Sequence, residues 1–180
     1  MQNTIPTGQG NVLIRTAQPA DAGAYRELRL EALKNHPTAF GSDYEENLQH
    51  PDGYWQERLN INDEQEALFL AEHEGRLVGM TGIYRSLSPR HRHQATVWGV
   101  YVRDAWRGCR IADVLIGNCL EWARGKGVVI ARLGVAATNW PAIRCYERCG
   151  FTSYGIEAKA LFHEGGYIDE FLMACSLVAA

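Results

Sequence analysis

The residues best suited to chemistry lie in one short run, Arg107-Gly108-Cys109-Arg110-Ile111-Ala112. The run leads straight into a segment whose Ile111, Val114, Leu115, Asn118, Cys119 and Trp122 recur at i, i+3/i+4 spacing. That spacing is one mostly apolar face of a helix packed on a sheet. A helix that follows a glycine-containing turn offers several unpaired backbone N–H groups. Its dipole adds partial positive charge there, and Arg107 and Arg110 add full charges. This arrangement suits a pyrophosphate. The run lacks the Lys-[Ser/Thr] ending of a nucleoside triphosphate loop and the glycine spacing of a dinucleotide fold. Gly125-Lys126-Gly127 ends the helix and reads as a plain C-cap.

The surrounding elements must hold that turn in place. Val12 to Thr16 alternates and is rich in β-branched residues, so it reads as a strand. Pro19 and Asp21 open a helix to about Asn35. The segment Phe40 to Asn62 is acidic and reads as one or two short helices. Ala67 to Ala71 and Leu77 to Arg85 form a hairpin around His73-Glu74-Gly75. Ala95 to Val102 is a further strand, rich in Val, Trp and Tyr. After the central helix, Val128 to Val135 is a strand. Asn139-Trp140-Pro141 opens another helix, closed by Gly150. Phe151 to Ile156 and Glu170 to Leu177 complete a mixed α/β sheet. In such sheets a ligand sits where neighbouring strands diverge at a helix N-terminus.

These pieces together resemble the GNAT acetyltransferases. Arg107 to Ala112 is similar to the family's [Gln/Arg]-x-x-Gly-x-[Gly/Ala] signature. Trp98-Gly99-Val100-Tyr101-Val102 resembles its cofactor-binding strand. Asn139, followed by Ala142 to Phe151, resembles its Asn…Ala-x-x-x-Tyr-x-x-x-Gly-Phe block. The resemblance spans about Val12 to Leu177. It implies a mixed, mostly antiparallel central sheet of about six to seven strands with flanking helices, splayed between the fourth and fifth. It also implies acetyl-CoA as co-substrate and transfer of its acetyl group to an amine. Arg110 stands where the signature carries its central glycine. In a right-handed conformation it would still present its N–H, and its guanidinium would add a phosphate contact.

The resemblance implies roles residue by residue. Val100, Tyr101 and Val102 would supply main-chain contacts to the acetyl group and pantetheine. Arg107, Gly108, Cys109, Arg110, Ile111 and Ala112 would cradle the pyrophosphate. Asn139 and Ala142 would hold the pantetheine arm, although Asn139 is equally suited to capping a helix. Tyr146 would donate the proton to the leaving thiolate. The alternative is a buried tyrosine on an amphipathic helix. A charged amine must also lose a proton. Many family members use a strand-four glutamate for this, and Ala95 to Val100 contains no carboxylate. Glu31, Tyr84 and His93 are candidates, as is water relayed by backbone carbonyls. Arg90-His91-Arg92-His93 reads as an exposed basic loop or as a contact for the adenosine 3′-phosphate.

Charge is unevenly spread. Phe40 to Glu74 carries ten acidic residues and one basic, while Arg85 to Lys126 carries eight basic and three acidic. A basic segment suits phosphates, and an acidic one steers a cationic amine. Asp43, Glu45 and Glu46 are therefore candidate acceptor-selecting residues, or else plain solvated helix faces. Tyr54 and Trp55 read as packing more than as acceptor pocket.

Composition sets outer bounds. The 180 residues suit a polar, flexible tail over 1–10 and a single acetyltransferase domain over 11–180. A formal net charge of −3 argues against a general nucleic-acid binder. No apolar run approaches the ~18 residues that would span a bilayer. Five cysteines without a second ligand pair suit reduced thiols and a cytoplasmic protein, not a disulfide framework or zinc, so no metal is expected. The partners expected are a small-molecule or peptide amine and, from Gly165 to Met173, which resembles a family hairpin, a second copy in a homodimer. The competing reading is a catalytically silent acyl-CoA-binding regulatory module, which would need no proton donor at Tyr146.

Overall fold

In the segment Gly10–Thr16 (β2), Val12 and Ile14 are fully buried and alternate with the more exposed Asn11, Leu13 and Arg15. The protein, described here by a computed structural model over residues 2–178, pairs β2 antiparallel with Gln2–Thr7 (β1). Met1 lies outside the described residues, and over residues 2–7 this strand replaces the flexible tail expected over 1–10. Its polar residues make an edge strand, which needs no second apolar partner. The Thr7 hydroxyl donates to the Gly10 carbonyl at 2.7 Å across the two-residue Gly8-Gln9 loop.

The other elements follow the sequence reading with shifted ends. They are a helix at Ala22–Asn35 (α1), short helices at Tyr44–Leu48 (α2) and Asp52–Arg58 (α3), and the hairpin Glu66–His73 (β3) and Arg76–Arg85 (β4). Then come Gln94–Val102 (β5), Ile111–Gly125 (α4), Ile130–Ala136 (β6) and Trp140–Arg148 (α5). Thr152–His163 (β7) and Gly166–Ser176 (β8) form a hairpin longer than expected, with its register broken between Glu157 and Leu161. Among the described residues one sheet of eight strands runs β1-β2-β3-β4-β5-β6-β8-β7. That is more than the six or seven expected, because β1 was not legible. Every neighbouring pair is antiparallel except β5 and β6.

Helices cover both faces. On one face α4 and α5 bury Leu115, Ile116, Cys119, Ile143 and Tyr146 against Val78, Ile83, Val97 and Leu133. On the other, α1 and α3 bury Tyr25, Leu28, Trp55 and Leu59 against Leu68, Leu70, Leu77 and Met80. Trp55 meets Tyr25 edge-on with ring centroids 6.0 Å apart, so it packs the core. Burying each such side chain contributes roughly 1.5–3 kcal/mol. Gly82 leaves space for the Trp98 ring, which lies where a Cβ would stand.

An ion cluster fixes the entry to α1. Arg15 donates to both carboxylate oxygens of Asp21 at 2.7 Å, and its Nε donates to Glu72 at 2.8 Å. Asp21 also accepts the Gln18 N–H at 2.8 Å, which sets the turn before the helix. Hydrogen bonding from Arg15 holds the Asp21 carboxyl below the usual range. A carboxyl whose folded pKa is depressed stabilises above its unfolded pKa, and that contribution is lost as pH falls through the folded value. Asp21→Asn is expected to cost about 1–3 kcal/mol at pH 7. Urea melts repeated down to pH 2 should show the two proteins converging in acid. A gap that stays constant with pH would remove the ion pair as its cause.

Candidate active site

The parallel pairing of β5 and β6 covers three residue pairs, Gln94↔Ile130, Ala95↔Ala131 and Thr96↔Arg132. Beyond Thr96 the strands part, although β5 stays paired to β4 and β6 to β8. A bulge opposite Met80 to Gly82 turns β5 at this point. Gly99 supplies it, with φ at 65°, a conformation side chains rarely adopt. The Arg103 N–H bonds back to the Val78 carbonyl at 2.9 Å. By the alternation of a strand, the peptide groups of Val102 and Val100 then point the other way, into the wedge.

A cleft of about 640 Å³ occupies the wedge. Its walls include Val100, Tyr101 and Val102 from β5, Arg107 to Ala112 except Cys109, and Asn139, Ala142 and Tyr146 from α5. The first hydrogen bond of α4 runs from the Val114 N–H to the Arg110 carbonyl. The N–H groups of Ile111, Ala112 and Asp113 therefore lack a partner within the helix and are suited to an anion. This cradle fits a pyrophosphate, and the strand edge beside it fits an extended amide chain.

Arg110 differs from its expected geometry. It caps α4 in the left-handed region, φ 59° and ψ 19°, not the right-handed one. The backbone takes the path a glycine would, because the turn requires it. The side chain points outward, 74% exposed, 3.7 Å from Asp113. Arg107 acts first as a clamp. Its Nε donates to the Val102 carbonyl at 3.1 Å, its Nη2 donates to His36 at 2.8 Å, and it pairs with Asp104 at 2.8 Å.

Tyr146 is buried, its ring edge-on to Phe151 at 6.1 Å. Burial pushes its phenol well above the ordinary value, so it stays protonated. Asn139 does cap α5, with Oδ1 accepting the Ala142 N–H at 3.3 Å while the residue lines the cleft. Both roles weighed for it from sequence are geometrically compatible.

The remaining candidates separate from this site. Cys109 is half-buried against the α4 core and lies outside the cleft lining. Asp43 caps α2, accepting the Glu46 N–H at 3.0 Å, and Glu45 occupies the first turn of that helix. Tyr84 pairs with Thr96 and is half exposed, at the end of the β4–β5 ladder away from the Gly79↔Val102 pair. His93 precedes β5, roughly 25–30 Å of strand from Val102. Strand direction puts both at the wrong end of the sheet for the wedge. Glu31 lies nearer: it accepts from the Tyr101 hydroxyl at 3.0 Å and pairs with Arg103 at 2.8 Å. Burial, then this bond, pushes the Tyr101 phenol up to about 12.

Sequence reasoning missed His36, Phe40, Trp106, Asp113 and Arg148, which also line the cleft. Arg148 donates to both oxygens of Asp113, at 3.0 and 2.8 Å, which ties α5 to the first turn of α4. The Cys145 thiol donates to the same carboxylate at 3.1 Å. The i, i+3 spacing from Arg110 to Asp113 was the one available signal for this cluster.

Comparison with known proteins agrees with this geometry. Residues 26–151 match the Acetyltransferase (GNAT) family. An L-amino acid N-acetyltransferase of Escherichia coli K12 is 29% identical over 168 residues, covering 91% of this chain and 96% of its own. A mycothiol acetyltransferase of Acidothermus cellulolyticus is 30% identical over 170 residues, and that match covers 87% of this chain and 49% of the relative. This chain thus spans about half the length of that relative. A putative acetyltransferase of Salmonella typhimurium, solved with its cofactor acetyl-CoA, superposes with a TM-score of 0.76 at 20% identity, covering 95% of this chain and 96% of its own.

A side chain in the left-handed region costs about 1–2 kcal/mol. Arg110→Gly is therefore expected to raise stability by about 1 kcal/mol, a rise in Tm of roughly 2–4 °C for a chain of this size. Calorimetry of the ligand-free protein checks this. A fall in Tm would mean that the Asp113 contact outweighs the backbone strain.

Proposed function

Because the chain belongs to the GNAT family of acetyl-CoA-dependent N-acetyltransferases, we propose that it acetylates a primary amine of a small molecule or peptide by direct attack in a ternary complex. The observation that carries this reading is the wedge between β5 and β6, with the α4 N-terminus at one end and Tyr146 in its wall. Acetyl-CoA supplies an acyl group activated as a thioester. The partnerless N–H groups of Ile111, Ala112 and Asp113 hold the pyrophosphate. Arg110 lends charge at the mouth of the cleft, and Asn139 orients the arm that reaches inward. The Val100 and Val102 N–H groups, aimed into the wedge, stabilise negative charge developing on a carbonyl oxygen. The Tyr146 hydroxyl passes its proton to the departing sulfur. Its raised pKa keeps that proton available throughout the working range.

The acceptor is the open part of the reading. The Escherichia coli relative is named for L-amino acids, which supports a small acceptor. Five unpaired cysteines suit a reducing cytoplasm. The exposed Tyr154, Ile156, Phe162 and Tyr167 on the β7–β8 hairpin suit a homodimer. Sedimentation at a single mass near 20.2 kDa would exclude that dimer.

Acetyl-CoA at ~100 times its Kd is expected to stabilise the protein by roughly 2.7 kcal/mol, with smaller effects from dephospho-CoA and ATP. Tyr146→Phe should keep that stabilisation and lose roughly 10²–10⁴-fold in kcat. In the wild type, kcat should rise with pH as the amine loses its proton and show no alkaline decline below pH ~10, the ordinary tyrosine pKa. Unchanged turnover in the phenylalanine variant would remove Tyr146 from the chemistry. An absent acetyl-CoA shift would remove the cradle.

A further inference from the structure

Arg29, on α1, is 8% exposed, and among the described residues its guanidinium makes no hydrogen bond or ion pair. Its Nη1 is fully enclosed without a partner. Leaving a buried cation in that state is costly unless something else completes it. The nearby carboxylates are engaged elsewhere. Glu27 and Glu31 pair with Arg103, and Glu66 pairs with Arg58 at 3.2 Å. The guanidinium lies 5.0 Å from the centroid of the Phe40 ring, and an aromatic face offsets only part of the cost of burial.

Its position ties it to the reaction. Nη1 lies 3.7 Å from where a Cβ would stand on Gly99, the residue that forms the β5 bulge. The next residue is Val100, whose peptide faces the wedge. Phe40, whose ring packs against the guanidinium, lines the cleft, and Arg29 itself sits behind that lining. A cation without a counter-ion is thus held one side chain behind the cleft, next to the Gly99 turn.

We infer that Arg29 receives the carboxylate of the acceptor, so that the substrate class is small amines carrying a carboxylate one or two carbons away, as α-amino acids do. The inference rests on the acetyltransferase reading and adds the acceptor to it. A planar guanidinium pairs with a carboxylate through two parallel bonds, which fixes orientation as well as affinity. Anchored there, the acceptor turns its amine toward the Val100 peptide. An amine that lacks the carboxylate would leave the buried cation incomplete.

The test measures thiol release at saturating acetyl-CoA for a panel of α-amino acids, each beside its carboxamide and its decarboxylated amine. Wild-type kcat/KM is expected to favour the carboxylate form at least a hundredfold for the amino acids that are used. Arg29→Met should bring that ratio near one and keep the stabilisation by acetyl-CoA. Its Tm should hold or rise, because an uncompensated buried charge is gone; a merely structural arginine would instead lower it. Arg29→Lys should raise KM for the amino acid at least tenfold, change kcat little and leave the carboxamide unaffected. It carries the test should the methionine variant not fold. Equal use of acids and amides by the wild type, a ratio untouched in the variants, or no thiol release with any member of the panel overturns the assignment. Loss of the acetyl-CoA stabilisation in the wild type as well would overturn the acetyltransferase reading beneath it.

Discussion

The early parting of two parallel strands is the constraint on which the rest depends. β5 and β6 share only three residue pairs before they separate. Peptide groups in the interior of a sheet are normally paired, and unpaired ones are costly when dry. Here the Val102 carbonyl takes Arg107 Nε, and the outward N–H groups of Val100 and Val102 are left facing the wedge. The bulge at Gly99 makes the parting possible without breaking the ladder to β4, which resumes at Met80↔Tyr101. The turn into α4 then fills the open side with further unpaired N–H groups. One departure from regular pairing thus creates both the slot for an extended chain and the approach to an anion cradle.

The two faces of the sheet divide the work. On the α4–α5 face, Asp113 holds Arg148 and accepts from Cys145, so the two helices that frame the cleft are joined by charge as well as by packing. On the α1 face, Tyr101 reaches Glu31 and Arg103 reaches both Glu27 and Glu31. That network locks β5 to α1 beside the wedge. Arg29 stands on the same helix outside the network. Its isolation stands against Arg103, which pairs with both Glu27 and Glu31.

Much of the α4 and α5 wall of the cleft was legible in the sequence. The apolar stripe from Ile111 to Trp122, the turn before it and the Asn139 to Phe151 block are local signals, readable without knowledge of register. The wall towards α1 was not. Tyr84 and His93 are near β5 in sequence, but strand direction carries them to the far end of the sheet. Asp43 serves its own helix as a cap. Arg29 sits among the charged residues of an amphipathic helix, and only the fold reveals that it is enclosed. β1 escaped notice because an edge strand built of Asn, Thr and Pro lacks the alternation that marks a half-buried one. Arg110 was read at the start of α4, where it lies, but given the wrong backbone geometry. The turn dictates φ there, whatever residue occupies it.

The brevity of the β5–β6 ladder also has a mechanical side. β1 to β5 form one continuous leaf and β6 to β8 with β7 another, and each keeps its own hydrogen bonds across its full width. Between them the spine is Gln94 to Thr96 against Ile130 to Arg132, extended by the His93 carbonyl, which accepts the Val129 and Ile130 N–H groups. A change in the angle between the leaves strains that short spine and the Asp113–Arg148 tie while sparing both sheets. The molecule is built like a book bound along a few stitches, with its cleft between the pages.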